Sequence, residues 1–131
     1  KEVIDRSIIQ EMNHLESGIL LNQGEGNFAW KPFSVDGQKS WIFAIQVLDL
    51  NEDGIQDLIL GGNLSNVKPE LGKYDASYGE VFLGKGDGTF TFWPNRIHGL
   101  KLDGDIRAIA NLGGKRLLFV INSGPAEIWN Y

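Results

Sequence analysis

Residues 44–60 read AIQVLDLNEDGIQDLIL, and two short apolar segments in this stretch flank an acidic loop. The segments before Asp49 and after Asp57 are short runs rich in Ile, Val and Leu, which predicts two β-strands. The loop between them holds Asn, Asp and Gly, the residue types that form tight turns. The stretch therefore predicts an antiparallel strand pair joined by an acidic loop.

Similar short apolar runs recur along the chain, separated by clusters drawn from its 17 glycines. Short strands separated by glycine turns have this appearance, so we predict an all-β fold. Residues 1–16 fit a helical and a strand pattern equally well, and both alternatives stay open. The nine predicted strands cover residues 18–22, 27–33, 42–48, 57–61, 79–83, 89–93, 105–110, 117–121 and 127–130.

An internal repeat appears when the sequence is compared with itself. GILLNQGEGNFAWKPF, from Gly18, aligns with EVFLGKGDGTFTFWPN, from Glu80, and each reads as a strand, a glycine turn and a second strand. The stretch at 44–60 aligns with DIRAIANLGGKRLLF, from Asp105, when two residues are deleted in the second loop. The two similarities together define one repeated unit.

The repeated unit is strand, acidic loop, strand, long loop, strand, glycine hairpin, strand, which is the four-stranded antiparallel blade of a β-propeller. Residues 42–93 make one complete blade, residues 17–33 the outer half of a preceding blade, and residues 105–131 part of a following one. Because propellers contain about four to eight blades, these two and a half or so blades predict a fragment of a larger propeller. Association of copies, or completion of the last blade by the N-terminal residues, are the alternatives.

The acidic loop has the donor atoms that calcium prefers. Calcium takes six to eight oxygen ligands, and a curled loop can supply alternating side chains, one carbonyl and a later carboxylate. Gly54 lies where such a loop must turn sharply. We predict one structural calcium ion, with the Ile55 carbonyl completing a set of side chains at Asp49, Asn51, Asp53 and Asp57.

Two observations limit this prediction. A plain acidic turn is the alternative, because the same residue types form turns without an ion. In the second copy of the unit, Asp49 and Asp57 align with Ala110 and Arg116, so that loop is predicted to hold no calcium. Lys115 or Arg116 would supply a salt bridge there in place of the ion, or the loop is an exposed turn.

The composition excludes several classes of function. The chain contains no cysteine, so zinc–thiolate sites and cysteine nucleophiles are absent. Its net charge of −5 disfavours nucleic acid as a partner. No apolar stretch approaches the roughly 20 residues that span a bilayer, so we expect no membrane insertion.

The loop DLNEDGIQD and the hairpins NQGEGNF and GKGDGTF strongly resemble FG-GAP or VCBS repeats, the blades of integrin α-subunit propellers and of many bacterial surface proteins. GNLSNVKPELGKYDASYG and GDIRAIANL resemble the C-terminal region of large Bacteroidetes-type members, some of which carry an ASPIC/UnbV domain. The resemblance implies a secreted or cell-envelope location, a larger parent chain, and a binding or scaffolding role toward a protein or a glycan.

The remaining candidate sites are weaker. The long loop at 63–78 is either a ligand-binding loop or a packing loop between blades. No nucleophile and base pair is evident, and the tryptophans are expected in the core rather than against sugars. A propeller enzyme, such as a polysaccharide lyase or hydrolase with its catalytic residues elsewhere, is the alternative to a non-catalytic module. The long loop carries Lys68, Tyr74, Asp75 and Tyr78.

Overall fold

Short apolar runs separated by glycine turns form nine strands in residues 7–8 and 10–131, the part of the chain that this computed structural model describes. They are β1 (Gly18–Gly24), β2 (Asn27–Pro32), β3 (Ile42–Leu48), β4 (Asp57–Gly62), β5 (Glu80–Gly84), β6 (Phe90–Trp93), β7 (Asp105–Asn111), β8 (Arg116–Asn122) and β9 (Glu127–Asn130). One helical turn, α1 (Asn95–His98), and two 3-10 turns, Val35–Gln38 and Pro69–Leu71, lie between strands.

The all-β prediction is confirmed, and every predicted strand is present with ends that differ by at most two residues. In the segment at residues 1–16, for which both alternatives stayed open, residues 7–8 and 10–16 form neither helix nor strand, and the rest of that segment lies outside the described residues. None of the described helices is long and apolar enough to cross a membrane.

The strands form three antiparallel sheets in chain order: β1-β2, β3-β4-β5-β6 and β7-β8-β9. Within each sheet, strands that are consecutive in the chain are hydrogen-bonded neighbours, so each sheet is a simple meander. The described residues contain no closed ring of sheets, and the number of propeller blades remains a prediction.

The β3–β6 sheet lies between the other two sheets and packs on both faces. All of β4 is buried, as expected for a central strand covered on both sides. Leu58, Leu60 and Phe82 face β1-β2, with partly buried partners that include Phe33 and Phe90. The opposite face forms the larger core with β7-β9 and the preceding loop, through Ala44, Leu48, Leu50, Ile59, Val81, Leu100, Leu102, Ile106, Leu117, Phe119 and Ile121.

A β-bulge occurs at the same place in the second and third sheets. Phe43 is the extra residue in β3, where the register shifts between Ile42 and Ala44. Arg107 is the extra residue in β7, where the register shifts between Ile106 and Ala108. The two sheets therefore share a detailed backbone feature as well as a strand order.

This register corrects the sequence alignment of the two acidic-loop regions. Asp57 and Arg116 each begin the second strand of their pair, as the alignment has them. Counted from the bulge, however, Asp49 corresponds to Gly113 and not to Ala110. The second loop is shorter than the alignment indicated, because matching residue types along the strands could not detect the bulge.

The face of the β3–β6 sheet toward β1-β2 is only partly covered. Ile45 on β3 is 59% exposed, whereas the corresponding residue on β7, Ile109, packs against the core formed with the β3–β6 sheet. A cleft of about 420 Å³ lies beside Ile45 and is lined mainly by apolar side chains. It exists because β1-β2 supplies two strands where the neighbouring sheet has four.

Candidate metal centre

The loop at residues 49–56 joins β3 to β4, and its polar side chains fold back onto its own backbone. The Asp49 carboxylate accepts hydrogen bonds from the backbone N–H of Asp53, at 3.1 Å to Oδ1, and of Gly54, at 2.9 Å to Oδ2. Asn51 Oδ1 also accepts from the Asp53 N–H, at 3.2 Å. Two side-chain oxygens therefore lie within 3.2 Å of one backbone nitrogen.

Two positions in this loop have a left-handed backbone. Gly54 has φ +84 and Glu52 has φ +62. Glycine adopts this conformation without the steric cost that a Cβ brings, so Gly54 allows the sharp turn that the sequence predicted. The turn also brings the N–H of Ile55 to 2.8 Å from Asp53 Oδ1.

Asp57 begins β4 and is fully buried. Its Oδ2 accepts from the Leu50 N–H at 2.9 Å, and its Oδ1 accepts from the Gly84 N–H at 2.8 Å on β5. The carboxylate thus connects the loop to the sheet. No ion pair with Lys, Arg or His involves Asp57 among residues 7–8 and 10–131, although buried charges usually have a partner of opposite sign.

The five predicted ligand residues lie in one loop and at the start of β4, and hydrogen bonds within the loop engage several of their donor atoms. The Asn51 side-chain nitrogen donates to Asp53 Oδ2 at 2.9 Å and so occupies one side of that carboxylate. Within the described residues, no group of three or more His, Cys, Asp or Glu side chains is arranged to hold a metal ion. The donor chemistry fits calcium, whereas the observed arrangement is a turn closed by hydrogen bonds.

The corresponding loop of the third sheet is a short turn without acidic side chains. The Gly113 N–H donates to Asn111 Oδ1 at 2.8 Å, and the Leu112 N–H donates to the Arg116 carbonyl at 3.0 Å. Lys115 does form an ion pair, at 2.9 Å, but with Glu52 of the neighbouring acidic loop. Because both side chains are mostly exposed, this pair contributes little to stability.

The long loop between β4 and β5 exposes all four residues predicted to bind a ligand, and its two tyrosines contact different partners. Tyr74 lies against Trp41, with ring centroids 6.2 Å apart. Tyr78 instead has the Lys101 ammonium 5.9 Å from its ring centroid. Lys68 precedes the 3-10 turn at Pro69–Leu71, and Asp75 follows Tyr74 as an exposed carboxylate.

The tryptophans divide between core and surface. Trp93 and Trp129 are partly buried against the core, as predicted. Trp41 is 56% exposed, so the prediction of core packing is wrong for this residue. It directly precedes β3 and lines a groove together with Tyr74 of the long loop.

A buried polar network that the sequence pattern did not reveal joins the long loop to the third sheet. The Asn63 side chain donates to the carbonyls of Ser77, at 2.7 Å, and Gly104, at 3.0 Å. Asp105 Oδ1 accepts from the Ser65 hydroxyl at 2.7 Å, and its Oδ2 accepts from the Arg107 guanidinium at 3.1 Å. No local spacing rule connects these residues, because they meet only through the tertiary fold.

Two carboxyl groups in this region have shifted pKa values. Burial raises the pKa of Glu80, and the hydrogen bond from Ser77 opposes that rise without cancelling it. Burial also acts to raise the pKa of Asp105, but hydrogen bonds from Ser65 and the charge of Arg107 outweigh it and lower that pKa. As the pH rises, the contribution of Glu80 to stability therefore falls, whereas that of Asp105 increases.

Comparisons of the chain with models of protein families, with curated proteins and with solved structures found no match.

Proposed function

We propose that this chain is a non-catalytic, calcium-binding module of the FG-GAP/VCBS type, and that it binds a protein or a glycan at the bacterial cell envelope. The observation that carries the proposal is Asp57, a fully buried carboxylate that two backbone N–H groups hold in place and that has no ion pair among the described residues. Each carboxylate oxygen that accepts one hydrogen bond still has a lone pair for a cation.

The residues around Asp57 support a hard cation. Asp49, Asn51 and Asp53 contribute oxygen atoms from the same loop, and no hydrogen bond among the described residues uses the Ile55 carbonyl oxygen. Three carboxylates at close range repel one another, and a divalent cation would relieve that repulsion. Binding would require the Asn51 side-chain nitrogen to release Asp53 Oδ2, so that Asn51 Oδ1 and the Asp53 carboxylate could both face the ion.

Calcium would have a structural role in this module. Extracellular calcium modules bind at about 10⁻⁴–10⁻³ M, so millimolar calcium would add about 1 kcal/mol of stability. Asp57 connects the loop to β5, and an ion held beside it would tie the β3-β4 turn to the rest of that sheet.

The order of the sheets supports the propeller part of the proposal. Three antiparallel meanders follow one another in chain order, and β3-β6 and β7-β9 carry the same bulge. Ile45 is exposed at the position where Ile109 of the next sheet is covered. Two further strands paired with the free edge of β1 would cover Ile45, as the remaining blades of a longer chain would do.

Calorimetric titration of the chain with calcium tests the proposal. We expect heat of binding and a rise in the unfolding midpoint at millimolar calcium, and both effects should be lost in Asp53→Ala. Asp87→Ala, which removes an exposed carboxylate from the β5-β6 turn, is the matched control and should keep both. An intact chain that shows neither heat nor stabilisation would refute calcium binding.

A further inference from the structure

We propose that the groove between Trp41 and Tyr74 binds a neutral oligosaccharide, with the Trp41 indole as the stacking surface. This proposal rests on the proposed binding role and names its ligand class and its site. The groove has a volume of about 460 Å³ and is lined by both polar and apolar groups, including Ser17, Gln38, Ser40 and Ile42.

The two aromatic rings form an open corner. Their planes lie at 76° with centroids 6.2 Å apart, and the side chains are 56% and 39% exposed. An aromatic ring carries partial negative charge on its face, so the C–H groups on one face of a sugar ring, which carry partial positive charge, pack favourably against it. One ring can therefore support a pyranose while the other borders its edge.

The backbone of both residues is held in place before any ligand binds. The Trp41 carbonyl accepts from the Asn63 N–H at 3.1 Å, and a Cβ on the neighbouring Gly62 would overlap that carbonyl. Tyr74 exchanges two backbone hydrogen bonds with Leu64, and its carbonyl also accepts from the Ser40 hydroxyl at 2.9 Å. Such pre-organisation reduces the entropy that a ligand must offset.

Hydrogen-bonding groups remain available at the edges of the rings. Among the described residues, neither the Trp41 indole N–H nor the Tyr74 hydroxyl has a hydrogen-bond partner in the structure. The Asp75 carboxylate is exposed next to Tyr74. Donors and acceptors around an aromatic surface match a polyhydroxylated ligand, whose hydroxyls both donate and accept.

The charges near the groove favour a neutral ligand over an anionic one. Lys39 lines the groove, but its ammonium pairs with Asp36 at 3.2 Å and lies 4.6 Å from the centroid of the Phe92 ring. It is therefore already engaged and is a weak attractor for a carboxylate or phosphate. A proline-rich peptide is the competing aromatic-binding ligand, and the perpendicular rings suit a single stacked sugar better than the parallel ridges of such a peptide.

The test is calorimetric titration of the whole chain with cellohexaose, xylohexaose, laminarihexaose and chitohexaose, each measured with calcium and with EDTA. We expect at least one of these saccharides to bind, and Trp41→Ala and Tyr74→Ala each to weaken that binding about tenfold or more. Tyr74→Phe should weaken it less, because it removes only the hydroxyl. Phe28→Ala, which truncates a 58% exposed aromatic on β2, should leave it unchanged.

Trp41→Phe is the control for misfolding of Trp41→Ala. It keeps an aromatic ring at the site and should bind the saccharide with intermediate affinity. No binding to any of the four saccharides, or binding that survives Trp41→Ala, would overturn the proposal. Binding of a polyproline peptide in place of the saccharides would overturn the ligand class. The calcium proposal can be refuted independently of this one. Its test is the heat of calcium binding and the loss of that heat in Asp53→Ala, and Asp53 does not line the groove.

Discussion

The guanidinium of Arg107 lies 4.2 Å from the centroid of the Phe43 ring, and the two residues are the bulged positions of their respective sheets. The bulge that the two sheets share thus places its two extra residues in contact across the interface between the sheets. Arg107 also donates to the Asn63 carbonyl at 3.0 Å and pairs with Asp105, whose side chain is only 5% exposed. This one side chain therefore links the second sheet, the third sheet and the long loop.

Replacing Arg107 should destabilise the fold more than its partial exposure suggests. Arg107→Ala leaves the buried Asp105 carboxylate without its counter-charge, and we expect a loss of about 2 kcal/mol in the free energy of unfolding. Arg107→Lys should recover part of it, because Lys keeps the charge but not the planar contact with Phe43. Urea denaturation at pH 7 measures both.

The control for Arg107 is Lys115→Ala. This change breaks an ion pair with Glu52 whose side chains are 54% and 70% exposed, and it should alter stability little. Equal effects of Arg107→Ala and Lys115→Ala would show that the Asp105 pair contributes no more than a surface pair.

Glu80 should make the chain less stable as the pH rises above the acidic range. Burial raises its pKa in the folded state above the ordinary value of 4.5, so its stabilising contribution is complete below pH 4.5 and declines as the pH passes the raised pKa. Glu80→Gln stays neutral and can still accept the hydrogen bond that Ser77 donates to Oε2 at 2.6 Å. The variant should therefore match the parent chain at pH 4 and exceed it at pH 8.

Urea midpoints between pH 4 and pH 8 test the Glu80 prediction. Glu25→Gln, at an exposed position in the β1-β2 turn, is the control and should run parallel to the parent chain. Parallel curves for Glu80→Gln and the parent would mean that Glu80 ionises at little cost in the folded state.

His98 should give the opposite dependence on pH. Burial lowers its pKa below 6.5, and the hydrogen bond to the Trp93 carbonyl only partly opposes this. Its Nε2 lies 3.0 Å from that carbonyl and its Nδ1 accepts from the Leu100 N–H at 3.2 Å, an arrangement that requires the neutral ring. Its stabilising contribution is present above pH 6.5 and is lost as the pH falls through the lowered pKa.

His98→Gln should therefore flatten the fall in stability on the acid side of pH 6.5. Tryptophan fluorescence during urea unfolding reports it, since the His98 ring lies 5.0 Å from Trp93 and 5.6 Å from Trp129. His14→Gln, at an exposed residue, should leave the fall in stability below pH 6.5 unchanged. An unchanged fall in stability below pH 6.5 in His98→Gln would show that another group causes it.

Substitutions of Asp57 and Asp53 should differ in their cost to stability without calcium, but both should abolish the stabilisation that calcium adds. Asp57→Asn keeps one acceptor oxygen for two buried N–H donors and should cost about 1–3 kcal/mol in EDTA. Asp53→Ala acts in an exposed turn and should cost less than 1 kcal/mol or so in EDTA. Both should lose the stabilisation that calcium gives to the parent chain.

Thermal unfolding of the three chains in EDTA and in 5 mM or so calcium separates these effects. A calcium response that persists in Asp57→Asn and Asp53→Ala would place the ion elsewhere. A large loss in EDTA for Asp53→Ala would show that the turn itself, and not the ion, depends on that carboxylate.

Local chemistry determined the strands and the acidic loop. The run of mainly Ile, Val, Leu and Phe residues defines β3 at Ile42–Leu48 without error, because β-branched and aromatic side chains favour strands. The turn at Gly54 follows from the freedom of glycine at positive φ. Both depend on neighbours within a few residues, so the order of residues contains the necessary information.

Only the tertiary structure decided which distant residues meet. Trp41 and Tyr74 come from different loops, and the Ser40 hydroxyl that bonds to the Tyr74 carbonyl is 34 residues away in sequence. The bulge at Phe43, the exposure of Trp41 and the burial of Glu80 and Asp105 depend on how whole sheets pack. Periodicity specifies which face a residue occupies, but what covers that face is set by contacts that no local pattern encodes.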